Sequence, residues 1–123
     1  YRLKENATTI NNALTTVKSL KPYQFTWKHD STIGQGFFAH EVLETTPNSQ
    51  AALGTKDEVE TVYYQANDTI PEGKAIGDVK DTASPVYQQV DYSKLVPLLT
   101  AALQESIAKI EVLETKVAAL EAA

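Results

Sequence analysis

The chain has 123 residues, of which 42% are hydrophobic and 22% charged, the size of one ordinary domain with material for a modest core. Sixteen acidic residues against eleven Lys and Arg give a net charge of -5, which repels phosphate backbones and argues against nucleic acid as a partner. The absence of cysteine excludes a disulfide framework, a thiol nucleophile and a cysteine-rich zinc site, and without a signal-like start or a run of roughly 18 apolar residues the chain reads as soluble, with no membrane partner.

Taken in order, Ile10, Ala13, Leu14, Val17 and Leu20 recur at spacings of three and four, the apolar stripe of an amphipathic helix. Thr8 or Thr9 is the expected cap, and Pro22 ends the helix near Leu20 by restricting Lys21. In "YQFTWK", Tyr23, Phe25 and Trp27 alternate with polar residues as in a half-buried strand. "HDSTIGQG" reads as a loop, and "FFAHEVLETTP" as a short helix closed by Pro47. Between Asn48 and Pro85, "ETVYYQA" and "KAIGDVK" are expected to form a protruding hairpin joined by the turn-rich "NDTIPEG". "PVYQQVDY" offers a last short strand.

From Ser93 the pattern becomes heptad. Val96, Leu103, Ile110 and Val117 fall seven apart as a positions, and Leu99, Ser106, Leu113 and Leu120 follow as d positions. Such a helix would run roughly 45 Å at 1.5 Å per residue, too far for so small a head to cover, so the seam calls for other copies of the chain. Ser106 is the single polar site, with Ile107 beside it to widen the buried face. Mixed a residues with Leu at d leave two and three strands both open.

The residues that invite chemistry have simpler explanations. His40-Glu41 lacks the second histidine of His-Glu-x-x-His, since position 44 is Glu44, so no metal site is expected. His29, Asp30 and Ser31 have the residue types of a triad, but sequence neighbours do not align as nucleophile, base and orienter. Glu41 and Glu44 read as a solvated helical face, Gly34-Gln35-Gly36 as a turn, and the sequons at Asn6 and Asn67 as chance matches. No cofactor motif is present.

Four stretches together, "RLKEN" at 2 to 6, "LKPYQFTWK" at 20 to 28, "GFFAHEV" at 36 to 42 and "VDYSKLVPLLTAALQE" at 90 to 105, resemble the C-terminal intramolecular chaperone domain of bacteriophage tail spikes, tail fibres and endosialidases. Their order and spacing agree along nearly the whole chain, only about 54 to 85 lacking a clear counterpart. The resemblance implies a homotrimer that guides folding of an upstream β-rich fibre or spike of the same polypeptide and then releases itself by autoproteolysis. It places the domain in the host bacterial cytoplasm during phage assembly and leaves it absent from the mature virion. The family's cleavage pattern is Ser, Asp, any residue, Arg, Leu, Lys, so Arg2, Leu3 and Lys4 put Tyr1 at the variable position and the nucleophilic serine just upstream. Lys4 is then the base of a single-turnover Ser-Lys dyad, supported in the motif by Arg2, Leu3, Glu5 and Asn6. A lysine can do this where burial or neighbouring charge lowers its pKa from about 10.4 toward neutrality. His40 departs from the glutamine more usual in the family.

The sequence therefore predicts an α+β domain. Residues 1-91 form a small globular head with a protruding segment at 54-85, and residues 92-123 form the helix of a trimeric coiled coil. The alternative is a permanent trimeric structural or receptor-binding tip without cleavage.

Overall fold

The computed structural model describes residues 2–123. The order is α1 (Ala13–Ser19), β1 (Tyr23–Thr26), β2 (Ile33–Gly36), α2 (Ala39–Thr45), β3 (Ala52–Leu53), β4 (Val59–Tyr63), β5 (Val79–Pro85), β6 (Gln89–Val90), a 3-10 turn (Tyr92–Leu95) and α3 (Val96–Glu121). The strands make three separate antiparallel pairs, β1 with β2, β3 with β6 and β4 with β5. This is the expected mixed α+β class with a long terminal helix.

The core is small because its residues are small. Ala13, Val42, Ala51, Ala52, Leu95, Leu98 and Ala102 are buried, with Val17, Leu20 and Phe37 packed at the margin. Leu95 and Val42 are the largest side chains wholly removed from water. α1 packs against α3, with Ala13 of the first and Leu98 and Ala102 of the second in one buried cluster.

Several local expectations need correcting. The first helix begins at Ala13 and not near Thr8 or Thr9; its N-cap is Asn12, in the left-handed region at φ 55, and Ile10 lies ahead of it, 46% exposed. Asparagine is among the residues that tolerate this conformation, which breaks the run of helical backbone there. "IGQG" is a strand and not a loop or turn: Tyr23 pairs with Gly36 and Thr26 with Ile33. Its glycines are there for space. A Cβ on Gly34 would lie 2.8 Å from the Phe25 ring and one on Gly36 2.3 Å from the Tyr92 hydroxyl oxygen. Gly36 thus seats the start of the long helix against the first hairpin, where Tyr92 also meets Phe37 edge-on at 6.0 Å.

The hairpin between 54 and 85 is present, with Val59 opposite Pro85 and Tyr63 opposite Val79 and two register irregularities between them. Its second strand starts at Val79, so "KAIGDVK" is mostly turn: the Gly77 N–H donates to Tyr64 O at 2.9 Å and Asp78 accepts from the Ala75 N–H at 2.9 Å. A Lys80–Asp68 ion pair at 2.9 Å and the Gln65 N–H lash the tip, and both, the N–H first, hold the Asp68 carboxyl below its ordinary pKa. Past Pro85, the last residue of β5, "PVYQQVDY" supplies only two strand residues, paired with β3, an element too short to show a period. Asp91 then turns the chain into α3 by accepting from the Ser93 hydroxyl at 2.6 Å and N–H at 3.0 Å, contacts that lower its pKa.

Candidate functional site

Two surfaces carry the functional expectations, the seam on α3 and the segment at 2 to 6. Along α3 the intramolecular contacts use one flank of the heptad: Leu95, Leu98 and Ala102 are buried against the head and Ala101 is partly buried. These sit at c, f and g. The a and d positions face away, so Val96, Leu99, Leu103, Ile110, Leu113, Val117 and Leu120 are 47–76% exposed in the single chain. Ser106 is partly shielded, its hydroxyl turned back to Ala102 O at 2.9 Å. That bond satisfies the hydroxyl within its own helix and removes its need for a partner across the seam. Beyond it, residues 107–123 are exposed throughout, a rod of helix projecting past the head.

Glu105 joins helix and head in a way the sequence did not announce. Its carboxylate accepts from the Ala13 N–H at 3.1 Å and the Leu14 N–H at 2.6 Å, across more than 90 residues of chain. The first N–H groups of a helix have no partner within it, and Asn12 supplies no side-chain cap. A charged acceptor from α3 fills that place and also suits the positive end of the helix dipole. Position 105 is c in the heptad, a place normally left to solvent, so its heptad position gave no reason to single it out. Glu105→Ala is expected to lower unfolding stability by about 1–2 kcal/mol at fixed protein concentration, read from the denaturant midpoint. Glu105→Gln should fall between, because its amide nitrogen cannot accept the second bond.

"LKPYQFTWK" and "GFFAHEV" meet through Glu41. Tyr23 Oη donates to Glu41 Oε1 at 3.2 Å, Lys21 Nζ lies 3.6 Å from the same oxygen, and Tyr23 packs on Phe38 with centroids 4.9 Å apart. Partial burial, followed by the Glu41 carboxylate, raises the Tyr23 pKa. Glu41 is therefore a joint between motifs and not a member of a solvated pair with Glu44, which is exposed on its own. Glu41 Oε2 is buried without a hydrogen-bond partner. His40 stacks on Phe38 at 6.0 Å, and His29 sits 3.1 Å from Asp30, whose carboxylate is held mainly by the Thr32 N–H. Ser31 lies on the far side of that tight turn, its N–H bound to Trp27 O. No group of three or more His, Asp or Glu suited to a metal occurs among the described residues.

Arg2, Leu3, Lys4, Glu5 and Asn6 are exposed, Leu3 at 99%, in a turn and irregular segment ahead of α1. Tyr1 lies outside the described residues. Among the described residues, the Lys4 side chain takes part in none of the ion pairs. Ile10 and Thr9, further along the same segment, line a shallow groove with Val96, Pro97, Thr100, Ala101 and Gln104 of α3, so the segment leads past the upper end of the seam. No helix among the described residues is long and apolar enough to cross a membrane.

Residues 1–51 match the model of a family described as chaperone of endosialidase. That span holds three of the four motifs read from the sequence. Among solved structures, one described as "Crystal structure of a novel intramolecular chaperon" is similar at 15% identity and a TM-score of 0.49, over 88% of this chain and 97% of that one. No curated protein matches the chain.

Proposed function

We propose that this chain, whose first 51 residues carry the chaperone-of-endosialidase signature, trimerises through α3, assists folding of a β-rich phage fibre or spike preceding it in the same polypeptide, and is freed by a Ser-Lys self-cleavage. The observation that carries the self-association is the open seam. Seven aliphatic side chains at a and d stand in water while the opposite flank is already used by the head. The accessible area points the same way: 10245 Å², against about 6,500 Å² for a compact monomer of this mass. Three chains in register would turn association of the preceding segments into an intramolecular step.

The protruding hairpin suits the chaperone role. Residues 54–85 hold three lysines against seven acids, leaving -4 on a ribbon that no other element packs against substantially. Such a ribbon would shield unpaired strand edges of a half-folded neighbour while its charge discourages permanent association. In the cleavage step the Lys4 amine takes the proton of a serine preceding Tyr1 and the serine oxygen attacks the carbonyl of the residue before it; the peptide C–N bond then breaks as the serine's own nitrogen receives the proton back from Lys4 and leaves as an amine, and water hydrolyses the resulting ester to free the domain. The domain would then act in the host cytoplasm and leave the virion.

Deleting residues 92–123 from the full-length gene tests the chaperone reading. The preceding fibre should be insoluble or non-trimeric, and normal assembly of the truncated protein would sink the proposal. Intact-mass measurement of matured fibre separates this from a permanent tip, which would remain attached.

A further inference from the structure

The seam has an electrostatic pattern confined to its distal half, and nothing within one chain accounts for it. The g positions there are Lys109 and Lys116, and the e positions are Glu114 and Glu121; the proximal half has Thr100 and Ile107 at e and places Leu95 and Ala102, both buried by the head, at g. None of the four charges takes part in an ion pair among the described residues. Lys116 and Glu121 have no charged residue three or four places away, the only such neighbour of Glu114 is the like-charged Glu111, and the Glu105 carboxylate next to Lys109 is engaged by α1. Glu121 in the last turn also opposes the helix dipole, so helix stability does not explain its sign.

We propose that residues 107–121 are the register-setting element of the assembly, docking second copies of the chain parallel and in register, with Lys109 facing Glu114 of the partner subunit and Lys116 facing Glu121 of the partner subunit. This rests on the self-association proposed above. In parallel coiled coils each g residue faces the e residue that follows in the neighbouring helix, which here joins opposite charges at both places. An antiparallel arrangement puts g against g and e against e, lysine on lysine and glutamate on glutamate. A copy displaced by one heptad meets no like charges but keeps only one of the two pairs and leaves its apolar residues uncovered at the ends. The proximal seam contributes apolar area without a charge code, so the part of α3 that projects beyond the head decides alignment.

The test uses the whole chain. A cysteine introduced as Ala123→Cys is the sole thiol, and oxidation should link pairs of chains in high yield if the helices are parallel; failure to link in a trimeric sample would overturn the orientation. The E114K/E121K variant should raise the apparent dissociation constant about tenfold or more at low salt, because attraction becomes repulsion at every interface. Adding K109E and K116E should restore assembly, and 1 M salt should shrink the defect by screening. Circular dichroism confirms that monomer helicity is kept. A wild-type trimer with an equally tight E114K/E121K variant overturns this inference and leaves the chaperone reading standing, whereas a monomeric wild type overturns both.

Discussion

Leu113→Asp is expected to convert the assembly into monomers and, in the full-length precursor, to leave the fibre unassembled. The residue is 59% exposed in the single chain, so the substitution leaves the head's core untouched. Its whole effect should fall on association. Each chain forfeits about 2–3 kcal/mol of apolar burial, and three carboxylates would converge in one dry layer, where charge is costly without a partner. Val112→Asp is the control. Val112 is equally open to water at 53% but occupies c, off the seam, and its variant should assemble as the wild type does. Sedimentation equilibrium on both variants decides the matter: a trimeric Leu113→Asp protein, or equal loss in the two, would refute the seam.

The second large effect concerns Lys4. In a precursor carrying a serine ahead of Tyr1, Lys4→Ala should abolish release of the domain while trimer and fibre form normally. Lys4→Arg should fail as well, because a guanidinium stays protonated and cannot take the serine's proton. The exposed setting of residues 2–6 puts no packing at risk in either variant, so lost cleavage would not reflect misfolding. Dilution should leave the rate unchanged if both groups belong to one stable trimer, whereas an external protease would slow. Sustained cleavage by the alanine variant would remove Lys4 from the chemistry, and the charged segment would be an ordinary chain end.

What the sequence determined by itself was whatever repeats or alternates along one element. The heptads of α3 need only a period, and their a and d residues stand where that period puts them, free of the head. The strand at Tyr23–Thr26 and the helix at Ala39–Thr45 were legible for the same reason, from alternation and from an apolar group closed by Pro47. Three of the four short motifs fall within residues 1–51, the span that matches the family model. Tertiary structure decided everything that depends on a distant partner. Gly34 and Gly36 look like turn residues until Phe25, Trp27 and Tyr92 are seen to occupy the space their missing side chains leave. The first helix starts at Ala13 because Glu105, far along the chain, accepts its N–H groups, and a local search for a cap finds only the threonines at 8 and 9. Glu41 passes for surface charge until Tyr23 and Lys21 are brought to it. Periodicity is a local property and survives in one dimension; capping, close approach and charge pairing between remote residues exist only after the chain has folded back on itself.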